Sequence, residues 1–177
     1  GTTRDTIEEV VNIKGIPVIL DAVGVGATKF RDDKAVELLD KIKVSVIKGN
    51  SSEIARLAGL NVKTKGVEAG KVEGNLVDVA KKLANSRICT VVITGKEDIV
   101  SDGRRTFIIK NGHDMMGSIV GTGCMAASVI GAFCAVLEDY SVASACALSC
   151  YGIAGEQAGK IAKGPGSFKE EFYDAVH

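Results

Sequence analysis

The chain has no tryptophan, only two prolines and no excess of charge of either sign. Its 22 basic and 22 acidic residues cancel, which removes any global pull toward nucleic acid or an anionic membrane. Glycine or polar residues break every apolar stretch before it reaches the length of a membrane span. The opening "GTTRDTIEEV" is polar and helix-like, without the apolar run of a secretory leader. There is no Ser-His-Asp arrangement and no zinc-spaced ligand set, and His113, following a glycine turn, reads as exposed rather than catalytic. No C-x-x-C pair occurs among Cys89, Cys124, Cys134, Cys146 and Cys150. Four of these lie in apolar, alanine-rich surroundings, so all but Cys124 are expected to be buried free thiols of a reducing cytoplasm.

The chain does have glycine, 21 residues of it, and 46% hydrophobic residues, a balance that suits an α/β protein and argues against disorder. At 177 residues it is long enough for one domain with a substantial core, taken as residues 1–177. It lacks an initiator methionine and begins abruptly at a helical pattern, so an N-terminally incomplete portion is expected.

Periodicity predicts a short helix over 4–13, a buried strand over 16–21 ("IPVILD"), a helix over 33–42, a strand over 44–48 and a helix over 51–59 that stops at Gly59. A polar, glycine-punctuated loop follows over 61–74, then an amphipathic helix over 75–85 and a strand over 89–95. Residues 97–112 read as two strands joined at Asp102-Gly103, and helices over 122–137, 142–161 and 167–175 finish the chain. The strand–helix alternation implies a mostly parallel sheet covered by helices, with right-handed crossovers.

In such sheets ligands bind beyond the carboxyl ends of the strands. Asp21, Lys48-Gly49-Asn50 and Thr94-Gly95 stand there, and Gly121-Thr122-Gly123-Cys124 joins them if its helix packs on the same sheet. The glycines of that turn allow close backbone approach, and the unpaired N–H groups of the following helix suit a phosphate or a developing oxyanion. The same position favours the thiolate of Cys124 as base or nucleophile, although a helix start that needs small residues for packing would look alike. No Walker order and no strand-following GxGxxG is present. Asn50 and Glu53 match a capping box. Alternatively, with Asp21, they hold a hydrated Mg²⁺, which needs few carboxylates. Lys48 neutralises phosphate charge or lies along the sheet edge. The Thr94 hydroxyl meets a phosphate or a nearby backbone group. Met115-Met116 reads as packing.

Taken in order, "PVILDAVGVGATKFR", "IKGNSSEIARLAG", "VVITGKEDIV", "VGTGCMAASVIGAFCAV" and "GPGSF" resemble the hydroxyethylthiazole kinases of the ribokinase-like superfamily, from about Ile16 to Phe168. The resemblance implies a three-layer αβα ribokinase-like fold with a mostly parallel central sheet, here without its N-terminal part. It implies transfer of the γ-phosphate of ATP, with Mg²⁺, to the hydroxyl of 4-methyl-5-(2-hydroxyethyl)thiazole in thiamine salvage, in the cytoplasm. It also implies a homotrimer with sites between subunits.

By position, Lys48 and Thr94 look like the family's ATP contacts, Gly121 like its substrate-contacting glycine, and Asp21 and Glu53 like the acids near metal and phosphates. Thr122 and Gly123 would form the anion-binding turn. Cys124 stands where related sugar and pyrimidine kinases carry an Asp as base. The chain departs from the family pattern at Ala22, usually proline, and at Val120, often threonine, and its first helix is about two turns short at 1.5 Å per residue. A hydroxymethylpyrimidine kinase or a nucleotide-dependent hydrate dehydratase would be expected to carry Asp at position 124. A non-catalytic nucleotide-binding fragment is the alternative outside enzymes.

Overall fold

A computed structural model describes residues 15–60 and 73–177. The helix expected over 4–13 and most of the loop expected over 61–74 lie outside the described residues.

Strands β1 (Ile19–Asp21), β2 (Val46–Asn50) and β3 (Thr90–Thr94) pair in parallel, and β4 (Asp98–Ser101) and β5 (Thr106–Ile109) continue antiparallel, giving a five-stranded sheet in the order β1-β2-β3-β4-β5. Helices α1 (Lys29–Lys41) and α2 (Ser51–Leu57) flank β2 in sequence, α3 (Glu73–Arg87) precedes β3, and α4 (Thr122–Cys134), α5 (Tyr140–Ile161) and α6 (Pro165–Val176) close the chain. The expected elements are present with shifted ends. α1 starts four residues earlier than its apolar periodicity suggested, because the Thr28 hydroxyl caps it by accepting the Arg31 N–H at 3.3 Å. β2 runs two residues further, through Asn50, which also caps α2.

Side chains alternate across a strand, and that alternation builds two cores. Ile47, Val91, Ile93 and Ile99 pack against α2 and α3 through Ile54, Val79, Ala80 and Leu83. Val46, Val92, Val100 and Ile109 face the opposite way, against Ala126 and Ile130 of α4, Ala147 and Leu148 of α5, and Phe168 and Phe172 of α6. The sheet therefore lies between two helical layers, as expected for the αβα fold.

The β4–β5 turn is fixed to the start of α5. The Arg105 guanidinium donates to Asp102 (2.9 Å), Asp139 (3.0 Å) and Ser141 (2.9 Å), and Asp139 in turn caps α5 by accepting the Val142 N–H at 3.2 Å. Gly103, at φ +90°, makes the turn the Asp102-Gly103 pair announced.

Two expectations about polar residues are corrected. Cys146 and Cys150 are exposed, not buried: they lie four apart on the face of α5 that turns away from the sheet, while alanines and Leu148 take the inner face. His113 is half-buried rather than exposed. Its ring stacks on Phe168 at 5.6 Å and its Nδ1 accepts the Met115 N–H at 3.2 Å, capping a short 3-10 turn over Asp114–Ser118.

That capped segment seats on α5 through glycines. A methyl group on Gly152 would lie 2.5 Å from the Asn111 carbonyl oxygen, one on Gly155 would strike the Met116 sulfur, and one on Gly159 the His113 ring. Glu156, between them, accepts from Asn111 Nδ2 and the Gly112 N–H, each at 3.1 Å. Gly152→Ala is expected to lose about 1–3 kcal/mol of stability, because its neighbour is backbone and cannot turn aside. Gly166→Ala, in a helix with open space around it, should be neutral or slightly stabilising. Thermal melts of the two variants check the contrast, and equal losses would remove the notch from the account.

Candidate functional site

The face of each strand decides which groups meet. Asp21, Lys48 and Thr94 share parity with Ile19, Val46 and Val92, so all three point to the α4–α5 side at the carboxyl edge of the parallel strands. Asp98, first residue of β4, shares parity with Val100 and starts at that same edge. Asp21 and Lys48 are register partners, and the Lys48 ammonium, on a side chain only 5% exposed, meets Asp21 Oδ1 at 3.1 Å.

The glycine turn does come to this edge. Gly121 takes φ +102°, open only to glycine at little cost, and starts α4 without a side-chain cap, so the first N–H groups of the helix are left for another partner. A methyl group on Gly123 would lie 3.2 Å from Lys48 Nζ. Glycine there lets the buried ammonium come up under the helix N-terminus. Two bonds fix the turn from behind: Thr122 Oγ1 donates to the Met116 carbonyl at 3.1 Å, and the Tyr151 hydroxyl donates to the Thr122 carbonyl at 2.8 Å. Burial raises the Tyr151 phenol above its ordinary range, which keeps that donor protonated.

Asn50 and Glu53 form the expected capping box: Asn50 Oδ1 accepts the Glu53 N–H at 2.9 Å and Glu53 Oε2 accepts the Asn50 N–H at 2.8 Å. Glu53 Oε1 also accepts the Gly24 N–H at 2.8 Å, tying the loop after β1 to α2. Gly49 is required beside it, since a methyl group would crowd the Glu53 side chain at 3.1 Å. Among the described residues no group of three His, Cys, Asp or Glu gathers to hold a metal. Asp21 and Glu53 already accept from Lys48 and from two backbone amides, so this donor set fits only a cation that keeps most of its own waters, as Mg²⁺ does.

A cavity of about 560 Å³ opens beside the turn, lined by Thr94, Gly95, Asp98, Gly123 and Tyr151, with Asn111–Asp114 forming its opposite wall. The Thr94 hydroxyl reaches the Gly49 carbonyl at 3.4 Å, the long end of hydrogen-bond range, and remains at the cavity surface. Gly121 and Cys124 are exposed and do not line this cavity; Val120, 98% exposed, marks the open side of the turn. A second depression of about 580 Å³, between α1 and α2, holds Asp32 and Glu37 in their own ion pairs with Arg56 and Lys34 and none of the strand-end groups.

Sequence reasoning passed over Asp98 and Tyr151. Tyr151 gave no signal, as one aromatic on a long helix. Asp98 could have been found from its place three residues after Gly95: Oδ1 accepts the Gly95 N–H at 2.9 Å, an Asp-closed turn. Burial pushes the Asp98 carboxyl up to about 6, against the Gly95 amide and the nearby Lys48, which draw it down. A carboxyl raised on folding binds its proton more tightly folded than unfolded, so it costs stability as pH climbs from about 4 to about 6, and the cost is full above that. Asp98→Asn, which keeps the oxygen that accepts from Gly95, should raise the melting temperature at pH 7.5 relative to wild type and lose that advantage at pH 4. Melts at the two pH values check this, and a variant less stable at pH 7.5 would refute it.

Residues 3–177 match the model of the Hydroxyethylthiazole kinase family. The hydroxyethylthiazole kinase of Methanosarcina acetivorans is 58% identical over 165 residues, which cover 93% of this chain and 63% of that protein. The solved hydroxyethylthiazole kinase of Pyrococcus horikoshii OT3 superposes with a TM-score of 0.80 at 44% identity, covering 90% of this chain and 59% of that one. A ribokinase-like superfamily protein from Enterococcus faecalis V583 shares the fold, with a TM-score of 0.64 at 16% identity over 90% of this chain and 52% of that one. The chain thus spans about three-fifths of the length of the hydroxyethylthiazole kinases it matches. With its sheet edge, glycine turn and helical layers in place, it belongs to the hydroxyethylthiazole kinase family.

Proposed function

We propose that this chain forms the nucleotide side of an ATP-dependent kinase whose acceptor is the hydroxyl of 4-methyl-5-(2-hydroxyethyl)thiazole, in thiamine salvage. The observation that carries the reading is the Lys48 ammonium lying under Gly123 at the start of α4, beside a cavity, in a member of this family. One fixed cation and a row of free N–H groups meet where a transferring phosphoryl group would pass.

In this reading the cavity takes ATP, with Thr94 toward its phosphates. Gly121 contacts the acceptor, which arrives from the exposed side of the turn. As the new O–P bond forms and the bond to ADP breaks, the acceptor's proton passes to Cys124 Sγ. Such a transition state is loose and asks little of a base, so a thiol suffices where a carboxylate is more usual. Thr122 and Gly123, through the backbone of the turn, hold the phosphoryl oxygens. Asp21 and Glu53, with Asn50 through water, would hold Mg²⁺, which when bound supplies charge neutralisation to the phosphates.

The acceptor side is open among the described residues. We assign its missing walls to the remainder of the longer protein and to a neighbouring subunit of a homotrimer. The five free cysteines, two of them exposed on α5, favour the reducing cytoplasm.

The test is ADP release by the full-length protein with ATP and Mg²⁺, with the thiazole alcohol or with hydroxymethylpyrimidine. Turnover with the thiazole alone is expected. ATP binding without turnover on either would leave a nucleotide-binding protein in its place. Cys124→Asp should retain part of the thiazole-dependent rate, and complete loss with fold and ATP affinity intact would remove Cys124 as the base. Lys48→Ala should weaken ATP binding at least ~10-fold, the cost of one charge-assisted contact. An unchanged dissociation constant in a folded variant would take Lys48 out of the site.

A further inference from the structure

Two carboxylates line the cavity among the described residues, and they differ. Asp114 is exposed at the rim, where water screens it. Asp98 sits half-buried in the wall next to the β3–β4 turn. Its Oδ1 accepts the Gly95 N–H, and among the described residues Oδ2 has no hydrogen bond. Among the described residues Asp98 makes no ion pair, although the nearby Lys48 draws its carboxyl down. Lys48, from β2, is held by Asp21 at 3.1 Å and lies under the α4 turn. Lys96 and Glu97 flank it on its own turn, and Lys110 at the end of β5 pairs with Glu97 at 3.4 Å. Tyr151 of α5 faces it as a neutral phenol whose proton is given to Thr122, and His113 and Asp114 stand in the opposite wall.

A polyphosphate entering this cavity would meet a carboxylate of its own sign in a half-buried wall. A like charge brought close disfavours the ionised carboxyl, and Asp98 can shed its charge by taking a proton. A protonated carboxyl is also useful there, since it turns an acceptor into a donor, which is what phosphate oxygens require. We propose that Asp98 binds the nucleotide as a neutral acid: Oδ2 takes one proton from solvent on binding and donates it in a hydrogen bond to a phosphate oxygen, while Oδ1 keeps the Gly95 N–H. The proposal rests on the cavity being the nucleotide site. Burial, which pushes the Asp98 carboxyl up to about 6, brings this proton uptake within reach of neutral pH.

The experiment is calorimetric titration of the full-length protein with ADP at saturating Mg²⁺, which keeps the nucleotide itself deprotonated. Buffers of different ionisation enthalpy give the number of protons taken up. Wild type should take up close to one proton per ADP near pH 7, with affinity falling about 20-fold between pH 6.5 and pH 8. Asp98→Asn should bind ADP with no uptake and a flat profile. Binding by wild type without proton uptake overturns the proposal, whatever the variant does. So does uptake that survives in Asp98→Asn. A variant that instead raises the Mg²⁺ concentration needed for binding, with no change in proton count, would make Asp98 a metal contact and also overturn it. Absence of ADP binding by wild type defeats the nucleotide reading of the cavity, and this proposal with it.

Discussion

A lysine ammonium buried at the end of a central strand must have its charge met, and the arrangement of this edge follows from how that is done. The parallel register puts Asp21 directly beside Lys48, and the absence of a side chain on Gly123 lets a helix start above it. Removing a buried ion from water costs several kcal/mol, and a single carboxylate at 3.1 Å offsets that only in part. The charge is therefore held in place as a permanent electrostatic feature of the sheet edge, available to an anion that approaches the α4 turn. Tyr151 and the Thr122 hydroxyl keep the turn from drifting off it.

The two sides of the turn are built differently. On one side the cavity has walls from β3, the β4 start, α4, α5 and the capped 3-10 segment. On the other, Val120, Gly121 and Cys124 face solvent. This asymmetry matches a chain that spans about three-fifths of its relatives. The proposed phosphoryl transfer would take place across the turn, with the donor in the walled half and the acceptor in the open half.

Much of this could be read from residue order. The strands were found from short apolar runs ending in polar or glycine residues. The capping box at Asn50 and Glu53 was found from its spacing, and the cluster at the carboxyl edge from the general behaviour of parallel sheets. What spacing could not supply was the third dimension. His113 was misjudged because its burial comes from Phe168, 55 positions later, and from a glycine notch on α5. Cys146 and Cys150 were misjudged because alanine-rich sequence is apolar all round, and only packing decides which face of such a helix is covered. Asp98 was missed because it reads as an ordinary turn residue until the cavity beside it is known.

The seating of Asn111–Met116 on α5 has a consequence for motion. Three side-chain or backbone groups of that segment drop into notches at Gly152, Gly155 and Gly159, with Glu156 bonded between them, on a helix of 22 residues that packs against both α4 and α6. Close-packed contacts of this kind transmit displacement rather than absorb it. This wall of the cavity can shift only if α5 shifts with it, dragging the aromatic stack of His113, Phe168 and Phe172. The far side is built more lightly: there the Gly95 N–H is latched to Asp98 Oδ1, and the Thr94 hydroxyl reaches the Gly49 carbonyl only at 3.4 Å. One jaw of the cavity is an anvil, and the residue that latches the other is Asp98, whose carboxyl burial pushes up to about 6.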